Sequence, residues 1–286
     1  MGQGVDLPPN ICISEHELEV VRDFVYLGST ISDSLSLDSE LNKHIGKAST
    51  TMSRLAKRVW NNRKLTEHTK VQVYRACVVS TLLYGSETWT LQARQEQKLN
   101  TFHMRCLRRI FNITWQDRVP NTTVLERAGT PSMFTLLKQR RLRWLGHVVR
   151  MDEGRIPRDL LYGELAEGKR PTGRPQLRYK DVCKRDLKAL DINLNTWEAL
   201  ANERSSSKHT VQKGLSKFEE KIAQKTEVQR QKRKALSAVE RLASSFICAR
   251  CGRDCHSRIG LTSVTHVRFF PFLNFSLSCC SCYNRV

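Results

Sequence analysis

No long hydrophobic run occurs in this chain of 286 residues, because no stretch reaches the roughly 18 consecutive apolar residues that a transmembrane helix needs. The first ten residues are polar and contain two prolines, without the apolar segment of a secretory signal peptide. We therefore expect a protein that is not secreted and has no membrane partner. Its expected location is intracellular, in the nucleus or the cytoplasm.

Catalytic patterns are also missing. The chain has no recognisable Ser-His-Asp, Cys-His or glycine-rich phosphate-binding arrangement. A single histidine on a helix is more often structural than catalytic, and six of them stand without neighbouring signature residues: His16, His44, His68, His103, His147 and His209. We expect no catalytic residue and no enzymatic activity.

Acidic residues are scarce beyond residue 40. The chain has 48 Lys+Arg and 28 Asp+Glu, a formal net charge of +20. Residues 1–40 contain eight acidic side chains and only one basic side chain, Arg22, so the remaining residues carry 47 basic and 20 acidic side chains. Such a positive surface predicts RNA, DNA or an RNA–DNA hybrid as the partner. The alternative is that the cations only solvate helix surfaces.

Residues 24–31 form a β-branched and aromatic run with a turn at Gly28-Ser29, which predicts a short β-hairpin. Downstream, a run Leu-Leu-Tyr-Gly-x-Glu-x-Trp ends a helical pattern at Trp89. Together with three further motifs, these two runs lie in the order 24–31, 82–89, 141–148, 173–175 and 248–252. This series of motifs resembles the C-terminal part of the reverse transcriptases of non-LTR (LINE-type) retrotransposons, over roughly residues 15–263.

The resemblance implies specific roles. Tyr26, Leu27 and Gly28 would be the primer grip at the palm edge, and a helical thumb would follow. Such polymerases hold two Mg²⁺ ions on paired aspartates, but no two adjacent Asp residues occur here. We therefore expect no magnesium site and no polymerase activity, because the chain begins about where the palm would end.

The helical patterns predict a mainly α fold. A first helix begins near Asp38, a second runs from Thr66 to Gly85, and a third carries Arg105, Arg108 and Arg109 beside its apolar stripe. The stripes need one another for burial, which predicts a thumb-like helical bundle. On the first helix we expect four cations to contact nucleic acid: Lys47, Arg54, Lys57 and Arg58.

A second basic helical region begins at the predicted cap Thr130-Pro131. Arg140, Arg141 and Arg143 surround Trp144, which predicts phosphate pairing together with base stacking. The alternative is a buried tryptophan with arginines at its rim. A basic linker follows, whose candidate backbone-binding residues are Lys169, Arg170 and Arg174.

The C-terminal third is predicted to begin with a long basic helix. From Lys208 to Arg241 ten basic residues accompany four acidic ones, so residues 208–242 are a candidate surface for a helical protein partner. Beyond it, Cys248 and Cys251 have zinc-finger spacing, and His266 is a candidate third ligand for zinc. Because the expected histidine position holds Val264, the alternative is a lost finger with a divergent tail.

These expectations divide the chain into five regions: a palm-edge hairpin remnant (1–37), the thumb-like bundle (38–115), the second basic region (116–204), the basic helix (205–246) and the partial finger with its tail (247–286). Together they predict a nucleic-acid-binding fragment derived from a reverse transcriptase. Two alternatives remain open: a domesticated helical protein–protein adaptor, and a pseudogene product without a selected function.

Overall fold

The computed structural model describes residues 12–13, 16–17, 19–34, 36–163 and 177–243. The strands are β1 (Cys12–Ile13), β2 (His16–Glu17), β3 (Asp23–Tyr26) and β4 (Ser29–Ser32). The helices are α1 (Asp38–Arg54), α2 (Glu67–Val73), α3 (Ser80–Leu82), α4 (Ala93–Ile110), α5 (Asn121–Ala128), α6 (Met133–Val149), α7 (Ile156–Tyr162), α8 (Tyr179–Ala189), α9 (Trp197–Asn202) and α10 (Arg204–Ala243). The predicted mainly α fold, with a short N-terminal hairpin and a long basic C-terminal helix, is confirmed.

The hairpin of β3 and β4 is antiparallel, with Tyr26 opposite Ser29. Its two-residue loop consists of Leu27 and Gly28, whose φ angles are 48° and 89°. Positive φ at both loop positions is the geometry of the tight turn that matches the twist of the flanking strands. The prediction of a Gly28-Ser29 turn was therefore wrong by one residue, because Ser29 already pairs in β4.

A buried polar chain fastens the hairpin to the helices. The backbone N–H of Thr30 donates to Oε2 of Glu40 at 2.7 Å, and the other oxygen of Glu40 lies 3.1 Å from Nε2 of His44. Nδ1 of His44 lies 3.0 Å from the carbonyl oxygen of Thr81, so the ring must donate there. Glu40 and His44 are both buried, so β4, α1 and α3 are joined where water does not compete.

The second predicted helix begins and ends where expected. The Thr66 side chain accepts from the backbone N–H of Thr69 at 3.2 Å, which caps α2, and Gly85 ends the helical run with φ 70°. Between α2 and α3 the chain passes through a π-helical turn, Tyr74–Val79. A second such turn, Ala56–Trp60, follows α1. Neither π turn was predicted, since the apolar spacing does not distinguish it from α-helix.

Two clusters of buried apolar side chains meet on α6. The first extends from Leu41 to Leu137 and gathers α1 to α5 with the first half of α6. The second begins at Leu142 and includes residues of α8, α9 and the start of α10, as far as Leu215. Each amphipathic helix thus buries its apolar stripe against its neighbours. The first cluster continues past residue 115, and the predicted five-region division stays a prediction.

The N-terminus of α6 is capped by Ser132, not by the predicted Thr130. Its hydroxyl accepts from the backbone N–H of Thr135, while Ser132 donates its own N–H and hydroxyl to the Glu219 carboxylate at 3.0 and 2.8 Å. A carboxylate is favourable there because the first backbone N–H groups of a helix have no intrahelical partner. The cap prediction was wrong by two residues, because Ser132, and not Thr130, lies three residues before the backbone N–H that its side chain accepts from.

The junction of the two clusters contains buried charges. Asp186 of α8 is fully buried, with Oδ1 at 2.5 Å from Nζ of Lys138 and Oδ2 at 2.7 Å from Nε of Arg141. Arg141 also donates to the carbonyl oxygen of Trp89 at 2.9 Å, and its Nη2 lies 3.7 Å from Glu96. Because Lys138 and Arg141 share one carboxylate, Asp186 joins α6 to α8. Arg141 also lies close to Glu96, which brings α4 to the same junction.

The chain divides into two compact units, residues 1–221 and 222–286. The described part of the second unit is the remainder of α10. Across the residues that the structure describes, no helix combines the length and the hydrophobicity needed to cross a lipid bilayer.

We predict that Asp186→Asn lowers the free energy of unfolding by about 3–5 kcal/mol, because it leaves two buried cations without their carboxylate. The measurement is urea unfolding followed by circular dichroism. Asp191→Asn is the control, since Asp191 pairs with Lys221 in solvent and its loss should have far less effect on the free energy of unfolding. Equal, small effects of both substitutions would contradict this role of Asp186.

A second prediction concerns acid stability. Burial lowers the pKa of His103 to about 4, although the backbone at Pro131 opposes the shift. The unfolded chain therefore binds a proton near the ordinary value of 6.5 while the folded chain does not, so stability falls as pH drops from 6.5 towards 4. At about 1.4 kcal/mol per pKa unit, the loss is on the order of 3 kcal/mol.

The check is to compare wild type with His103→Gln by urea unfolding across this pH range. The free energy of unfolding of the wild type, relative to that of His103→Gln, should fall as the pH drops from 6.5 towards 4. A difference that is constant with pH would show that His103 is protonated equally in both states.

Candidate nucleic-acid interface

The exposed side of α1 and its π turn carries four cations. Lys47, Arg54, Lys57 and Arg58 are all exposed, at a spacing of seven, three and one residues. The opposite side of α1 is buried in the first core cluster, which directs these cations to solvent. Within the described parts of the chain, none of the four forms a salt bridge. Such unpaired cations on one helix side can contact successive phosphates.

The predicted primer-grip residues lie at the tip of the hairpin. Tyr26 and Leu27 are exposed, and Phe24 stacks beside Tyr26 with ring centroids 6.4 Å apart. Gly28 packs against the ring of Tyr84, since a Cβ at Gly28 would lie 3.1 Å from that ring. The tip thus offers apolar and aromatic surface, and two of the quoted sequence motifs are in contact through Gly28 and Tyr84.

The predicted cluster on α6 is largely structural. Arg141 is fully buried by its pairing with Asp186, so its prediction as a nucleic-acid contact was wrong. Arg140 is half-buried and donates to the carbonyl oxygen of Leu83 at 3.0 Å, and burial lowers its pKa. Arg141 falls on the apolar spacing of α6, four residues from Leu137 and from Leu145, and that spacing was the signal for its burial.

The other two members of this cluster face outward in part. Arg143 is exposed, and no carboxylate in the described residues pairs with it. Trp144 is half-buried, with its ring 5.3 Å from that of His147. The structure therefore leaves one free cation beside a partly covered tryptophan, a weaker phosphate-binding surface than the three predicted arginines would make.

A groove on α4 was missed. It is an open depression of about 520 Å³ between α4 and the start of α5, and Arg105, Arg108 and Arg109 lie along it. The same three arginines were seen beside the apolar stripe of the third predicted helix. These arginines follow the polar residues Gln97 and Thr101 at intervals of three and four residues, which places all five on one side of the helix. That spacing was the sequence signal that could have predicted a polar and basic surface there.

The remaining candidates lie outside the described residues. These are the linker residues Lys169, Arg170 and Arg174, and the zinc candidates Cys248, Cys251 and His266. Among the residues that are described, no three His, Cys, Asp or Glu side chains converge in a way that would hold a metal ion. The zinc site stays a prediction.

Comparison with known proteins links the chain to mobile genetic elements. It is 25% identical over 206 residues to an uncharacterized transposon-derived protein of Caenorhabditis elegans, covering 67% of this chain and 70% of the relative. No protein-family model matches the chain. No solved structure matches it either. The similarity is consistent with a transposon origin.

The contact of the hairpin tip with Tyr84 makes a prediction. Gly28→Ala should destabilise the hairpin by about 1–2 kcal/mol, because alanine is strained at φ 89° and its Cβ would press on the Tyr84 ring. Hydrogen exchange at the Thr30 amide, which is bonded to Glu40, should accelerate accordingly.

Gly46→Ala is the matched control. Gly46 lies on the exposed side of α1 and a Cβ there meets nothing within 4 Å, so the substitution should stabilise the chain by up to about 1 kcal/mol. If Gly28→Ala left hydrogen exchange at the Thr30 amide unchanged or slower, the strained turn would not be what holds the hairpin in place.

Proposed function

We propose that this chain binds nucleic acid through the phosphate backbone. The observation that carries the proposal is the set of four exposed cations on α1 and its π turn, none of which has a salt bridge in the described residues. Side chains that are not held by carboxylates can each displace a condensed counterion from a phosphate. The chain's net charge of +20 would add long-range attraction.

We further propose that the chain derives from the C-terminal part of a non-LTR retrotransposon reverse transcriptase. The ordered sequence motifs, the transposon-derived relative and the contact between the hairpin tip and Tyr84 support this origin. In this proposal the hairpin with α1 to α4 corresponds to the primer grip and thumb. The chain positions a duplex or hybrid by charge, and it performs no chemistry because it lacks paired aspartates.

A second candidate is a protein–protein adaptor that uses α10. Val228 and Leu236 are large apolar residues that lie exposed on this helix, eight positions apart and therefore on a similar side. A helical partner could cover them. Oligomerisation or partner binding that does not change with salt, together with no affinity for nucleic acid, would favour this candidate.

We expect Lys57→Gln combined with Arg58→Gln to weaken binding of a short RNA–DNA hybrid or DNA duplex. Each lost phosphate contact should reduce the slope of log K against log salt by about 0.9, so the slope should become shallower by about 1.8. The measurement is fluorescence anisotropy at several salt concentrations between about 50 and 300 mM.

The control variant combines Arg94→Gln with Arg127→Gln. It removes the same net charge, but these arginines pair with Asp38 and Glu67 at 2.8 and 2.5 Å on the surface. Affinity and slope should therefore change little. If the Lys57/Arg58 variant and the control behaved alike, net charge alone would account for binding and the α1 surface would not be the interface.

A further inference from the structure

The groove on α4 is long enough for several nucleotides. Gln97, Thr101, Arg105 and Arg109 follow one another at four-residue intervals, and Arg108 lies beside them. From position 97 to position 109 a helix rises about 18 Å, which is the length of a few nucleotides of an extended single strand. The groove is an open depression lined by polar side chains together with Met104 and Ile113, and Arg108 lies at the end nearest α5.

The charges in this groove are not neutralised. Arg105 and Arg109 are exposed, and within the described part of the chain neither forms a salt bridge. Arg108 donates to the carbonyl oxygen of Val119 and to Oδ1 of Asn121, both at 2.8 Å. These acceptors are neutral, so they fix the direction of the Arg108 guanidinium and leave its charge available to an anion.

An exposed tryptophan follows the last groove-lining residue of α4 in the chain. Ile113 lines the groove, and two residues further Trp115 is 80% exposed, the most exposed large apolar side chain in the described residues. Its loop is held in place, because the backbone N–H and the hydroxyl of Thr114 donate to Asp117 at 2.7 and 2.9 Å. A fixed loop that presents an indole to solvent is typical of a stacking platform.

We propose that the α4 groove (Gln97 to Arg109 with Trp115) binds a single-stranded polynucleotide. Arg105 and Arg109 contact its phosphates, Trp115 stacks on an unpaired base, and the amides of Gln97 and Asn100 face the strand as hydrogen-bonding groups. A single strand fits better than a duplex because bases inside a duplex are stacked on each other and do not offer a free face to an indole. The inference rests on the proposed nucleic-acid function and adds a second surface with its own ligand.

The test uses the full chain with fluorescein-labelled oligo(dT), oligo(U) and a duplex of the same length, in anisotropy titrations. Trp115→Ala should weaken single-strand binding by about ten-fold, the loss of one base–aromatic stack, and leave duplex binding unchanged.

Arg105→Gln combined with Arg109→Gln should make the single-strand salt slope shallower by about 1.4. The control is again Arg94→Gln with Arg127→Gln. A larger effect on oligo(U) than on oligo(dT) assigns the groove to RNA, and the reverse assigns it to DNA.

Intrinsic fluorescence gives a second readout. Trp60, Trp89 and Trp197 are buried and Trp144 is half-buried, so Trp115 is the indole most open to a stacking base. An unlabelled single strand should quench tryptophan emission in wild type and much less in Trp115→Ala.

Two results would overturn the inference: unchanged emission on saturation with a single strand, or equal loss of single-strand and duplex binding in Trp115→Ala. If the Lys57/Arg58 variant lost duplex affinity while neither groove variant lost single-strand affinity, the proposed function would stand while the groove would fail. If wild type bound neither ligand, both proposals would fail together.

Discussion

The pairing of Asp186 with Lys138 and Arg141 is the interaction on which the arrangement of the helices depends. It lies where the two apolar clusters meet on α6, since Leu137 belongs to the first cluster and Leu142 to the second. Burying Lys138 and Arg141 there without a carboxylate would greatly lower the free energy of unfolding. The packing of α6 against α8 therefore requires Asp186 to face these two cations. Lys138 also lies 5.0 Å from the ring centroid of Phe218, which brings the start of α10 to the same place.

This pairing separates the basic side chains into two groups with different uses. Lys138 and Arg141 are buried in contacts that hold the fold together. Arg140 is partly engaged in the same way, because it donates to the carbonyl oxygen of Leu83. The cations on α1 and along the α4 groove instead point into solvent without carboxylates in the described residues. A strongly positive chain therefore does not present all its charge to a ligand. The surfaces that we propose for nucleic acid are those where the fold leaves guanidinium and ammonium groups uncompensated.

Local patterns in the sequence were sufficient for the fold class, the start of α1 at Asp38, the Thr66 cap and the stop at Gly85, because each depends on residues within one or two helical turns. Contacts between distant residues were not accessible in this way. The hydrogen bonds from Ser132 to Glu219 and the pairing of Arg141 with Asp186 join residues 87 and 45 positions apart. The exposed cations of α1 followed from amphipathicity, whereas the α4 groove needed the position of α5 and of the loop that presents Trp115.

The central claim is that the uncompensated cations of α1 bind nucleic acid while the buried ones serve the fold. Lysine acetylation followed by mass spectrometry, with and without a saturating RNA–DNA hybrid, tests this most directly. We predict that Lys47 and Lys57 react readily in the free protein and are protected in the complex, while Lys138 stays unreactive in both. Equal labelling of Lys47 and Lys57 with and without the hybrid would contradict the account.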